Sequence, residues 1–270
     1  MESLRELNKI CQKKDYKKVG NWMARNITRD MALPISWLLL HTPITANCVT
    51  VISLFIGLAG CMLFLIHSTW GFLGGVMLLQ IWYLLDHVDG HIARYRKQSS
   101  VTGIFLDYYT HHIIHAGVYI CLALGIFWDK QEVIYVLCGI ITAFSVMFMN
   151  LIYDTQKKAY EAWIVINDRV KVSGAHAKVG EDRKHSWQIL RQSFSYMHKS
   201  MEIHVLMNIL TLAAILNLFI KEGEIFKWLL IFYACLIPIV VFFKLTYRIL
   251  KKIPDKEFSA YAELFKEKIY

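Results

Sequence analysis

Six stretches of about twenty mostly apolar residues divide the chain: Thr45–His67, Gly71–Arg94, Val101–Trp128, Val133–Tyr153, Met201–Ile220 and Ile225–Tyr247. That is the length at which a helix crosses the roughly 30 Å hydrocarbon layer of a bilayer. Lipid offers the backbone no hydrogen-bond partner, so a spanning segment is either a helix or a strand of a closed barrel. No run here alternates apolar and polar residues as a barrel strand does. A chain that is 56% hydrophobic, with a mean hydropathy of +0.39, is also too apolar for an ordinary soluble domain. The expected fold is all-α: an integral membrane bundle of six transmembrane helices, preceded by an N-terminal amphipathic surface helix.

Lys and Arg set the expected orientation. They crowd the N-terminal segment (Arg5, Lys9, Lys13, Lys14, Lys17, Lys18, Arg25, Arg29), the second connection (Arg94, Arg96, Lys97), the long connection 154–200, and the end of the last span (Arg248, Lys251, Lys252). The other connections are nearly free of them, with Lys130, Lys221 and Lys227 as the exceptions. Both termini are then cytoplasmic, in a bacterial inner membrane or its equivalent. The net charge of +9 reads mainly as this topology signal, with attraction to anionic membrane lipids as an addition. The basic residues are scattered over four segments, so no nucleic-acid partner is expected. Six cysteines without a CxxC pair indicate neither a disulfide framework nor a zinc site. Met1–Asp30 lacks the apolar core of a cleavable signal, and insertion is expected to start with the first span.

Three regions follow. Residues 1–33 form a cytoplasmic or interfacial segment whose Leu4, Leu7, Ile10, Trp22, Met23 and Ile27 among lysines suit a helix lying on the membrane. Residues 34–253 are the six-helix catalytic domain, with Pro34 and Pro43 marking its entry and 154–200 as a cytoplasmic insert. Within the insert, Gln156–Val172 extends the fourth helix and 172–184 reads as loop. Residues 254–270 form a short tail helix. Gly57, Gly60, Gly71, Gly74 and Gly75 point to close helix packing, and Trp37, Trp70, Trp128 and Trp228 to interfacial anchors.

The chemistry sits at the ends of two spans. One reads Asp86-His-Val-Asp89-Gly90-His-Ile-Ala93-Arg94; eight residues later the next opens with Gly103-Ile-Phe-Leu-Asp107-Tyr-Tyr-Thr-His111. A charge at the bilayer centre costs about 2.5–3.5 kcal/mol or more, so acids kept at membrane depth carry function. On a helix Asp86, Asp89, Gly90 and Ala93 share one face, while Gly103, Asp107 and His111 form a stripe at i, i+4, i+8. A short connection makes the two helices antiparallel neighbours, and the stripes can face each other. Carboxylates brought so close repel unless cations lie between them, and hard oxygen ligands suit Mg²⁺, Mn²⁺ or Ca²⁺. The competing role for a single acid, a helix–helix hydrogen bond, does not account for three acids with matched glycines at one depth.

This spacing, D-x2-D-G-x2-A-R-x8-G-x3-D-x3-D, resembles the signature of the CDP-alcohol phosphotransferases, membrane enzymes of phospholipid headgroup synthesis. Every position matches but the last, where His111 replaces Asp. Ile44-Thr45-Ala46-Asn47-Cys48-Val49-Thr50 is similar to the family's T-P-N-x-V-T opening of the first span. The resemblance covers about residues 20–150. It implies that an acceptor hydroxyl attacks the β-phosphorus of a CDP-linked alcohol and that CMP leaves. It also implies two Mg²⁺ or Mn²⁺ ions held by Asp86, Asp89, Asp107 and His111, with Asp107 and His111 catalytic. Asn47, Thr50, Gly90, Ala93, Arg94 and Gly103 fall on the nucleotide side, with Arg94 pairing with phosphate or a carboxylate. The expected partners are a CDP-linked donor, a lipid or small polyol acceptor and a second copy of the chain. Whether the lipid is donor or acceptor stays open.

His111 admits three readings: base and metal ligand, base in a one-metal site, or a remnant in a nucleotide-binding pseudoenzyme. Imidazole titrates near pH about 6.5 and can take the acceptor's proton. His115, one turn on, is an acceptor contact or a packing residue. The groups His87/His91 and His111/His112/His115 also evoke the histidine boxes of membrane di-iron hydroxylases and desaturases. Against that, His87 and His91 point about 100–140° away from Asp86 on the helix, no third box exists, and they fit better as caps or lipid-phosphate contacts. A small transporter would spread its acids through the membrane depth and show inverted repeats; neither is present.

Overall fold

The computed structural model describes residues 3–12, 22–169, 202–220 and 224–258. Eight α-helices lie within them: α1 Leu4–Cys11, α2 Arg29–Leu40, α3 Ala46–Leu63, α4 Thr69–Tyr95, α5 Val101–Lys130, α6 Val133–Arg169, α7 Ile203–Leu216 and α8 Glu224–Leu250. A π-helical turn, Ala24–Thr28, leads into α2, a 3-10 turn, Phe64–Ile66, ends α3, and 253–258 is helical as well. There is no strand among the described residues. The molecule is the helical membrane bundle expected. The chain divides into two units, Met1–Ala143 with Ile203–Ile231, and Phe144–Glu202 with Phe232–Tyr270. All residues singled out for chemistry fall in the first.

Five helical segments are long and apolar enough to span: Ala46–Ile66, Thr69–Tyr95, Val101–Lys130, Val133–Ile164 and Glu224–Leu250. The remaining expected span, Met201–Ile220, is helical only over the 14 residues of α7, which rise about 21 Å and fall short of the hydrocarbon layer. Turns follow it, with Leu218 N–H bonded to Ile215 O and Phe219 N–H to Leu216 O. A polar seam holds α7 to α4: the Gln80 amide donates to Asn208 (3.3 Å) and Thr211 (3.0 Å). In lipid such bonds serve as helix–helix glue.

Other expectations are refined. Pro34 lies inside α2 and does not mark its start; only Pro43 falls in a link. The amphipathic N-terminus turns part of its apolar face inward, since Leu7 and Cys11 are fully buried while Leu4 and Ile10 are exposed. The extension of α6 past the membrane runs to Arg169. The loop 172–184 and the tail beyond 258 lie outside the described residues.

The glycines do pack. A Cβ on Gly60 would stand 3.0 Å from the Gly75 carbonyl oxygen, and one on Gly75 2.9 Å from that of Gly60. α3 and α4 touch there backbone to backbone. A Cβ on Gly125 would collide with the Phe64 carbonyl oxygen. α4 is therefore the central helix of its unit, against α1, α2, α3 and α7, and it carries the acids.

Candidate active site

Local chemistry fixes where each half of the signature begins. Thr45 caps α3, its hydroxyl accepting the Cys48 N–H (3.2 Å), and Ser100 caps α5, accepting the Gly103 N–H (3.0 Å). Each satisfies a backbone donor left over in a first helical turn. At the end of α4 the chain reverses through Lys97 in the left-handed region (φ 53°), and the Gln98 N–H closes on the Ala93 carbonyl at 2.9 Å. Arg96 pins this turn to the link between α2 and α3: its guanidinium donates to the Ile44 carbonyl (2.7 Å) and the Thr42 carbonyl (2.6 Å). With five residues from α4 to α5, the helices run antiparallel and side by side.

The two stripes meet. His111 Nε2 lies 2.9 Å from Asp86 Oδ1 and 3.4 Å from Asp107 Oδ1. One ligand atom from each of Asp86, Asp107 and His111 falls within 4.8 Å of the others. The cluster opens toward α5, where the Asp107 side chain is 48% exposed against 18% for Asp86. Two carboxylate oxygens and an imidazole nitrogen converging on one point make a donor set suited to Mg²⁺ or Mn²⁺, the nitrogen favouring the softer Mn²⁺.

Asp89 is not in that cluster. Its Oδ2 accepts the Thr50 hydroxyl at 2.5 Å, joining α4 to α3. Thr50 also donates toward the Ala46 carbonyl (3.1 Å), so its proton is shared between helix and carboxylate. Asn47 meets α5: a Cβ on Gly103 would stand 3.1 Å from Asn47 Oδ1. Thr50 with Asp89, and Asn47 with Gly103, thus lie beside the carboxylates in two neighbouring contacts. Ala93 packs into an apolar cluster with Ala32, Ala46, Val49, Val88 and Ile92. Arg94 folds back along its own helix. Its Nε donates to the Cys11 carbonyl at the end of α1, and its guanidinium lies 3.1–3.2 Å from where a Gly90 Cβ would be. The expected phosphate or carboxylate partner of Arg94 is here a backbone carbonyl, because α1 packs on this end of α4.

The remaining histidines are dispersed. His91 is 1% exposed and faces α2. Ser36 Oγ donates to the Ala32 carbonyl (2.7 Å) and is hydrogen-bonded to His91 Nδ1 at 3.0 Å. His87 Nδ1 bonds the Tyr83 carbonyl at 3.0 Å. α2 and the helix's own backbone take these two ring nitrogens, and His87 Nδ1 also lies 3.8 Å from Asp86 Oδ2, closer than the helical offset suggests. His115 is 6% exposed and stacks with Tyr119 at 6.1 Å between ring centroids. A reading confined to ionisable groups missed Trp82, whose ring meets that of His111 at 5.0 Å and 63°. Its place one turn before Asp86 on the same face was the available signal.

The model of the CDP-alcohol phosphatidyltransferase family matches residues 43–181, just over half of the chain. No curated protein gives a significant match. Among solved structures, phosphatidylinositol phosphate synthase (PgsA1) of Mycobacterium tuberculosis with CDP-DAG bound is similar, with a TM-score of 0.54 and 19% identity over 82% of this chain and 92% of that one. The same protein in complex with manganese and citrate gives 0.53 at 18% identity, over 80% and 87%. At such identities the likeness is one of fold.

Proposed function

Because the chain belongs to the CDP-alcohol phosphatidyltransferase family, we propose that it transfers a phospho-alcohol group from a CDP-linked donor to an acceptor hydroxyl and releases CMP. The observation that carries this is the convergence of Asp86 and His111 from two helices, at 2.9 Å, with Asp107 beside them. The acceptor oxygen forms a bond to the β-phosphorus, the bond to the CMP oxygen breaks, and the hydroxyl proton passes to a base. Asp86, Asp107 and His111, with Asp89 alongside, would hold divalent cations, which in such sites neutralise charge on phosphate oxygens and orient the nucleophile. His111 stands where the family places its last acid and offers a nitrogen for the departing proton. Thr50 ties Asp89 to α3 beside the cluster, and Asn47, in contact with Gly103, would offer its side-chain amide to the nucleotide. Arg94, held by the Cys11 carbonyl, lies over Gly90 and would pair with a donor phosphate on release from that carbonyl. The acceptor is a lipid or a small polyol, and the site and both termini face the cytoplasm, as the Lys and Arg distribution supports.

The test supplies a panel of CDP-linked alcohols, including CDP-diacylglycerol, to the purified chain with Mg²⁺ or Mn²⁺ and follows CMP. Metal-dependent CMP release with at least one donor is expected. A folded chain that yields no CMP with any donor and binds no cytidine nucleotide would sink the proposal.

A further inference from the structure

His111 departs from the signature, and a longer, flatter side chain in place of a carboxylate needs support that an aspartate does not. The rotation of an imidazole about its χ2 is broad. One bond to Asp86 and a longer approach to Asp107 fix only the Nε2 side of the ring. The structure supplies a second contact. Trp82 sits one helical turn before Asp86, on the face that bears the acids. Its ring is 0% exposed and meets the His111 ring edge to face, with centroids 5.0 Å apart at 63°, the arrangement aromatic quadrupoles favour. α3 makes room for it: a Cβ on Gly57 would lie 3.1 Å from Trp82 Cδ1 and 2.7 Å from Ile114 Cδ1. Packing alone does not explain an indole here. Its Nε1 is buried with no hydrogen-bond partner among the described residues, where Phe or Leu would fill the space with no polar atom to desolvate.

We infer that Trp82 is a positioning residue that holds the His111 imidazole against Asp86 and Asp107. Trp82 closes the membrane-side floor of the cluster and stops the ring from turning out of it, so its role belongs to the histidine form of the site. This rests on the reading of His111 as part of a divalent-metal site.

The test uses the full chain in detergent with Trp82→Phe and Trp82→Leu, each alone and combined with His111→Asp. Selective ¹³C labelling of the histidine Cε1 gives eleven signals to resolve, and His111 is the one lost in His111→Asp. Trp82→Leu is expected to move the His111 signal more than any other, and Trp82→Phe to keep most of its position. Titration with Mn²⁺ alone, read from the paramagnetic resonance of the free ion, is expected to show affinity about tenfold weaker in Trp82→Leu, as for groups that orient metal ligands, and recovered in Trp82→Phe. In the His111→Asp background Trp82→Leu is expected to change affinity by less than about twofold, since the partner it acts through is gone. Equal losses in both backgrounds, or a His111 signal unmoved by Trp82→Leu, overturn the assignment. Should Trp82→Leu not fold, Gly57→Ala, which crowds the indole from the α3 side, is read in the same way. The ring signal needs no turnover, so a chain inactive toward every CDP-linked donor would end the transfer reading and still leave this one readable.

Discussion

Asp86, Asp107 and His111 answer to one another across two helices, so their substitutions should not behave alike. Asp107→Asn removes a ligand oxygen and the charge behind it, and CMP release should fall about a hundredfold or more. His111→Ala deletes the proposed base and should lose roughly 10²–10⁴-fold. His111→Asp restores the acid of the family signature and should keep part of the rate. Steady-state CMP release for the three variants, each checked for folding, decides this; full activity in Asp107→Asn would remove the metal assignment. These residues were legible because helical spacing fixes direction: i, i+4 and i+8 on α5 must share a stripe whatever surrounds them. The fate of His91 was not, because the helical wheel tells where a side chain points and not what is packed there. Its partner Ser36 belongs to a helix read as the approach to the membrane. Asp89 escaped the cluster for a similar reason, since a hydroxyl 39 positions away claims it.

At the scale of helices, glycine contacts carry the packing. A methyl group on Gly125 would press against the backbone carbonyl of Phe64, which cannot turn aside as a side-chain tip can. Gly125→Ala should therefore destabilise the chain by about 1–3 kcal/mol, the usual effect of overpacking, with little effect on metal affinity; thermal unfolding in detergent measures it. By contrast Gly74→Ala, which meets only the Leu63 Cδ1 at 3.0 Å, should be mild. Span lengths were readable where apolar runs were bounded by caps, as at Thr45, Ser68 and Ser100. The run Met201–Ile220 has the composition of a span without its helical length. Asn208, Thr211 and Asn217 interrupt it, and all three make bonds to α4 residues. Composition registers their polarity, whereas only the fold shows that it is spent on a neighbour.

For the whole molecule the charge distribution predicts a direction. A cysteine placed at Lys97 should react with an impermeant maleimide from the cytoplasmic side, and one at Lys130 only from the opposite side; the reverse pattern would invert the proposed topology. Chelation gives an independent check: EDTA should abolish CMP release, and Mn²⁺ or Mg²⁺ should restore it. The fold class was accessible from hydropathy because lipid permits so few backbone solutions. The family was accessible because the signature spans just two helices and one tight turn. The arrangement of α1 and α2 around the end of α4 was not, since it depends on contacts between segments of ordinary polarity.

Surface connections in most proteins accept an inserted residue with little consequence. The link between α2 and α3 should be an exception. Arg96 grips two of its carbonyls while Thr45 starts the helix that carries Asn47 and Thr50. A single added residue would put the grip and the helix start out of phase, so variation in chain length should be excluded from a stretch that hydropathy alone marks as unremarkable.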